Sequence, residues 1–290
     1  MSDKSLGGLL IVFSAASISL SVVLSRLAFE AGGNAATLLC LRYPLSAAML
    51  WLLLRHGGVS AALPLRSALA CHGVGLALFA QAGGYLGAVQ FIPVNLAILI
   101  FYLYPLLTLL GAAVVDRRRP AVAEVVGTVI VLGGLAMALS VSFEGLDPRG
   151  LALAFAAALG GGIAFIGSSR VLRGVDTLPA SLHFSLAGLP AALLAVSLAS
   201  EFALPRGGFG WAMLGLALAT FLLFYVSMFA GIRRLGAVPA ALLFNLEPPI
   251  TILLALLLLG EPMSGQQGLG AMLVIGGIVL AQVRGRRPPT

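Results

Sequence analysis

The sequence predicts an all-α integral membrane protein of ten transmembrane helices, arranged as two inverted five-helix repeats, and three observations predict it. Of 290 residues 60% are hydrophobic and only 9% charged, with a mean hydropathy of +1.08, whereas soluble chains carry about 25% charged residues. So much apolar surface belongs in lipid. Secondly, ten apolar stretches follow one another, each near the roughly 20 residues that a helix needs to cross the hydrocarbon core. Thirdly, the chain resembles itself when displaced by 143 residues.

The ten stretches run over 6–29, 35–54, 67–89, 94–115, 122–142, 150–172, 179–201, 210–232, 238–259 and 266–283. The first is too long for the apolar core of a signal peptide and has only Lys4 as a basic residue before it, so it is read as a span. Polar or Gly/Pro-rich turns divide the others: Glu30 to Asn34, Arg55 to Pro64, Asp116 to Pro120, Phe143 to Gly150 and Gly260 to Gly265. Spans three and four are separated only by Pro93 and Asn95. Ten spans take about 200 residues and leave no room for a soluble domain. The net charge of +7 would suggest nucleic acid in a soluble chain; in a membrane chain its distribution reports orientation instead. With the N-terminus inside, cytoplasmic segments hold Lys4, Arg55, Arg66, Arg117 to Arg119, Arg170, Arg173, Arg233, Arg234, Arg284, Arg286 and Arg287, which is 13 of the 17 basic residues. Arg26, Arg149 and Arg206 fall outside, and Arg42 within span two. Both termini are therefore expected in the cytoplasm.

At the displacement of 143, Phe101, Leu103, Pro105 and Thr108 meet Phe244, Leu246, Pro248 and Thr251, and Gly133-Gly134 meets Gly276-Gly277. Eleven of the 39 positions from 101 to 139 are identical. Two repeats follow, 1–145 and 146–290, each of five spans. An odd number of spans forces the second copy to enter the membrane inverted, as in many secondary transporters. The charges agree, since Arg118 inside aligns with Glu261 outside.

The segment from Asn245 to Ala281 (NLEPPITILLALLLLGEPMSGQQGLGAMLVIGGIVLA) resembles the EamA-type repeat of the drug/metabolite transporter superfamily, and Phe101 to Leu139 resembles a degenerate first copy. In that family the second copy carries a Glu-Pro in the ninth span and a Gly-Glu just after it, here Glu247-Pro248 and Gly260-Glu261; the first copy departs from the pattern with Tyr104 and Arg118. Among members, the chain is most similar to bacterial exporters of aromatic and other neutral amino acids of the YddG type. The resemblance implies a secondary-active or facilitative transporter of a bacterial-type inner membrane, exporting amino acids or similar small metabolites by alternating access. It implies a small-molecule substrate, no cofactor and no nucleic acid, with protons as a candidate coupling ion and a monomer as the expected state. An exporter of lipophilic organic cations is the alternative, and a non-transporting membrane scaffold or receptor a remote one.

Polar groups at mid-membrane are costly and frequently functional, which singles out the candidate substrate-binding residues. Span nine offers Asn245 and Glu247, whose repeat partners are Tyr102 and Tyr104. Residues two apart on a helix point about 200° apart, so only one of each pair is expected to face a common cavity. Tyr102 with Asn245 is one such choice; Tyr104 and Glu247 are then interhelical struts. Glu247 is alternatively a proton-coupling or amine-binding group. Gln81 and Tyr85, one turn apart on span three, Asn95 at the start of span four and Tyr225 in span eight complete the set. Pro105 and Pro248 occupy equivalent mid-span positions and are expected to kink their helices as gates. Ser14, Ser17 and Ser21 form a polar stripe that lines water or packs closely, and Gly83, Gly84 and Gly87 allow close helix approach. Arg42 is expected to snorkel to the outer interface or pair with a carbonyl.

Enzyme signatures are absent. The glycine run Gly160 to Gly162 is not followed by Lys-Ser/Thr, Ser168-Ser169 has no elbow around it, and His56, His72 and His183 are not spaced as metal ligands. Cys40 and Cys71 lie inside apolar runs and read as small buried side chains.

Overall fold

A computed structural model describes residues 2–117, 119–140, 146–198 and 202–284, and among these every regular element is helical. Arg118, residues 143–145 and the basic tail at Arg286 and Arg287, used above, lie outside the described residues. The helices are α1 (Asp3–Glu30), α2 (Ala35–His56), α3 (Leu65–Ala88), α4 (Val94–Phe101), α5 (Tyr104–Val115), α6 (Val122–Ala138), α7 (Pro148–Val171), α8 (Thr177–Leu198), α9 (Gly207–Leu235), α10 (Ala237–Phe244), α11 (Glu247–Leu254) and α12 (Gly265–Arg284). A single π-helical turn, Ala255–Leu259, prolongs α11. Because α4 continues into α5 and α10 into α11, these helices make ten columns that follow the ten apolar stretches. Seven columns are both long and apolar enough to cross a membrane. α6 is a shorter apolar helix of 17 residues, and α2 and α8, at 22 residues each, reach about 33 Å at 1.5 Å per residue.

Local chemistry sets the ends. The Asn34 side chain accepts the Thr37 N–H at the start of α2, and that of Asp147 accepts the Arg149 N–H at the start of α7, where Pro148 opens the helix without a lost bond. The Glu124 carboxylate reaches back to the Ala121 N–H at the start of α6.

The bundle has an apolar core, with Ile11, Leu50, Phe184 and Phe229 buried, and differs from a soluble one in an apolar exterior. Large apolar side chains such as Leu9, Trp51, Leu69, Val129, Leu223 and Val279 face outward, while Ser14, Ser19, Ser21, Thr108, Thr128 and Ser168 are buried. Several hydroxyls inside the bundle donate to carbonyls, for example Ser21 to Ala217 of α9 and Ser19 to Glu247, while those of Ser181, Ser185 and Tyr225 have no carbonyl partner among the described residues. The serine stripe of α1 does not line the cavity described below, which α1 meets through Ile18 and Val22.

Four antiparallel contacts build the bundle: α1 with α9, α3 with α7, α2 with α8, and α6 with α12. The last is a crossing of bare backbone. A Cβ on Gly127 would lie 2.6 Å from the Gly277 carbonyl oxygen, and one on Gly134 would lie 2.7 Å from that of Gly270. Only glycine permits so close an approach. On α3, Gly84 alone of the three glycines singled out abuts a neighbour's backbone, that of Leu153 and Ala157 on α7.

The described ion pairs sort into two groups at opposite ends. Arg26 pairs with Glu30 and with Glu261, and Arg149 with Asp147. At the other end Arg170 pairs with Asp116, Arg233 with Asp176, and Arg234 with Asp3. No described pair mixes the residues that the charge count put outside with those it put inside.

The two interrupted columns break alike. At the first break the Leu103 N–H donates to Ile100 O at 3.0 Å, and at the second the Leu246 N–H donates to Leu243 O at 3.1 Å. These bonds reach back three residues rather than four and tighten the turn. Pro105 and Pro248 each fall at the second residue of the following helix. The interruption expected from the prolines is present in both columns. The discontinuities lie just upstream, at 102–103 and 245–246, in the turn that separates each proline from the residue four before it, Phe101 or Phe244, to whose carbonyl the proline has no N–H to donate.

Candidate functional site

Between the breaks lies a cavity of about 470 Å³. All five tyrosines of the chain, Tyr43, Tyr85, Tyr102, Tyr104 and Tyr225, line it. So do Phe101, Phe165, Phe221, Phe224, Phe229 and Phe244. The rings contact one another: Tyr104 stacks on Phe165 at 5.3 Å and 14°, Tyr85 meets Phe101 at 6.3 Å, and Tyr225 stands edge-on to Phe229 at 4.9 Å.

Two charged side chains, Arg42 and Glu247, share this aromatic wall. Glu247 begins α11, at the second break, and its Oε2 accepts the Tyr102 hydroxyl at 2.9 Å, so one hydrogen bond joins the two breaks. The backbone carbonyl of Glu247 accepts from Ser19 and Thr251, both at 2.9 Å. Arg42 lies over the Phe221 ring, its Cζ 4.2 Å from the centroid, a cation–π contact. It lies on the cavity wall and bonds no carbonyl among the described residues, which corrects the expectation of a carbonyl partner. Its sign was visible in the sequence as a lone charge inside an apolar run.

Of the candidate residues, Gln81, Tyr85, Tyr102, Tyr225, Glu247 and Pro248 line the cavity. Asn95 is exposed at the start of α4. Asn245 is fully buried and turns back into its own column, its Nδ2 donating to Ala241 O and Leu242 O. Pro105 is buried behind the wall. Tyr102 and Tyr104 both face the cavity, contrary to the alternation expected of a continuous helix, because the tightened turn between them resets the direction of the chain. Ser168 and Thr251, on the chamber wall, donate to the carbonyls of Phe165 and Glu247, and His72 and His183 form an edge-on pair outside it, with His183 Nε2 3.0 Å from Ala61 O.

The chamber is uneven along the membrane normal. Toward the end that holds Asp116 and Arg233, α5 packs on α10 and the buried side chains Leu109, Ala112, Val238 and Leu242 fill the space. Toward the other end no comparable packing joins α4 to α11 among the described residues, and the cavity extends to Leu139 and Ile252.

A multi-pass bundle of outward-facing apolar helices around an aromatic chamber, set at two broken spans, defines a membrane transporter of small molecules. The chain belongs to the EamA-like transporter family, which matches it twice, over residues 5–140 and 148–282. No curated protein matches it significantly. A crystal structure of a protein with 24% sequence identity superposes with a TM-score of 0.81, covering 98% of each chain. At that identity the likeness is one of fold.

Proposed function

We propose that the protein exports amino acids, aromatic and other neutral ones, or similar small metabolites across a bacterial-type inner membrane by alternating access. The observation that carries this reading is the gathering of every tyrosine of the chain around one chamber with Glu247 bonded to Tyr102. Apolar rings accept an apolar or aromatic side chain, and the carboxylate accepts an amine. In this reading residues 1–145 and 146–290 are inverted repeats with both termini cytoplasmic. It is supported by the two matched segments, by breaks 143 residues apart, and by the reciprocal packing in which Gly127 meets Gly277 while Gly134 meets Gly270. The Asp116 and Arg233 end is then cytoplasmic, so the chamber is closed inward and reaches outward.

The test is transport by the purified protein in proteoliposomes, with labelled aromatic and aliphatic amino acids beside lipophilic cations. Saturable movement of neutral amino acids is the expected result. Movement of the cations alone would replace the amino-acid reading with that of a cation exporter, and movement of none of them would remove both.

A further inference from the structure

Arg42 is an unspent charge. Arg26, Arg149, Arg170, Arg233 and Arg234 each pair with a carboxylate at an end of the bundle. Arg42 lies within α2, has a buried Nε without an acceptor, and has neither an ion-pair partner nor a hydrogen bond among the described residues. Its contact is a ring face. A charged side chain inside a membrane span ordinarily pairs with an opposite charge or with carbonyls, and a guanidinium offers five N–H donors in a fork that fits a carboxylate at two points. The protein's own carboxylate in the same chamber, Glu247, is bonded to Tyr102 instead and retains room for further donors.

Charge balance narrows what fits. A cationic ligand on Glu247 leaves Arg42 unmatched, and an anionic ligand on Arg42 leaves Glu247 unmatched. A zwitterion matches both. We propose that Arg42 is the carboxylate-recognising group of the cavity, so that the chamber selects molecules carrying both an acid and an amine over those carrying either one alone. This rests on the reading of the cavity as an amino-acid site and deepens it.

Three probes with the same phenyl side chain separate the contributions: L-phenylalanine, phenethylamine, which lacks the carboxylate, and 3-phenylpropionate, which lacks the amine. Binding of each to the full-length protein in nanodiscs is measured by calorimetry, with the melting temperature as the check on folding. Wild type binds phenylalanine more tightly than either single-charge probe. In Arg42→Gln, phenylalanine weakens about tenfold to a hundredfold, the scale of a hydrogen bond to a charged group, while phenethylamine binds as tightly as before or more so, a like charge having left the chamber. Arg42→Lys, which keeps the charge and loses the fork, falls between, and it supplies the same ratio if the glutamine variant does not fold. An unchanged ratio of phenylalanine to phenethylamine in both variants overturns the assignment of Arg42 and leaves the amino-acid reading standing. A wild type that binds phenethylamine but not phenylalanine overturns that reading and this assignment together.

Discussion

The neighbouring glycines Gly133 and Gly134 offer a controlled perturbation of the fold. At Gly134 an alanine Cβ would lie 2.7 Å from Gly270 O, 2.9 Å from Val274 N and 3.0 Å from Leu273 Cβ; at Gly133 it would meet nothing within 4 Å. Relaxed non-bonded contacts lie near 3.5 Å, so α6 and α12 must separate by roughly 0.8 Å to admit the methyl group of Gly134→Ala. The obstacles are mostly backbone, which cannot rotate aside. Overpacking of this kind costs about 1–3 kcal/mol, whereas Gly133→Ala removes the helix penalty of glycine, about 0.8–1 kcal/mol. The two substitutions should therefore differ by about 2–4 kcal/mol, or about 5–15 °C in melting temperature at the usual scale for chains of this size. Thermal melting of the purified protein, followed by size-exclusion chromatography, measures this directly. Gly134→Ala should melt below wild type and Gly133→Ala at or above it. Equal shifts for the two, or a Gly134→Ala protein as stable as wild type, would refute the close crossing of α6 on α12. Gly276 and Gly277 repeat the comparison on the partner helix, since a Cβ at the former meets nothing and one at the latter lies 2.7 Å from Gly127 O.

Glu247→Gln keeps an acceptor for the Tyr102 hydroxyl and should fold, but should lose about tenfold or more in affinity for amine-bearing substrates or lose its pH dependence of transport. Transport with unchanged affinity and pH profile, beside a lowered melting temperature, would make Glu247 a strut. Tyr102→Ala should reduce transport of large side chains about threefold to tenfold more than that of small ones, the worth of a ring contact, and Tyr102→Phe should largely keep that preference; competition among amino acids of different size in proteoliposomes reads both. Single cysteines at Arg119 and Glu261, in a background without Cys40 and Cys71, should react with an impermeant reagent from opposite sides of the membrane. Labelling of both from one side would end the inverted-repeat proposal.

Much of the fold was legible because membrane insertion imposes a simple code. Apolar runs and polar turns located the helical columns to within a few residues, and the register of Pro105 with Pro248 and of the two Gly-Gly pairs marked equivalent positions. Breaks within spans were harder to place. A proline announces a lost bond, but whether the helix bends there or restarts just before it depends on the preceding turn, and Leu103 and Leu246 carry no signal of that kind. What failed at the site was the angle between Tyr102 and Tyr104, taken from an unbroken helix although Pro105 announces an interruption there. Asn245 was misleading for another reason: a short amide can spend its NH2 on its own column's carbonyls, as it does on Ala241 and Leu242, while its buried Oδ1 has no partner among the described residues. For Arg42 the sequence offers the outer interface or a carbonyl; that its guanidinium lies over Phe221 on the chamber wall is decided by tertiary packing.

The packing of α5 on α10 at one end, with no counterpart between α4 and α11 at the other, bears on energetics as well as on access. Under the proposed symmetry, α4 corresponds to α10 and α5 to α11, so the closed contact at one end has the same composition by segment as the contact needed to close the opposite end. A perfect internal duplication would make the two closures isoenergetic and equally populated. The chain's departures from self-identity, such as Tyr104 against Glu247 and Leu109 against Ile252, then act as a thermodynamic offset, each 1.4 kcal/mol of difference tilting the equilibrium about tenfold. Drift between the halves of a duplicated sequence is, in this light, a dial on occupancy: differences between equivalent residues set what share of its time the chamber spends open to each side of the bilayer.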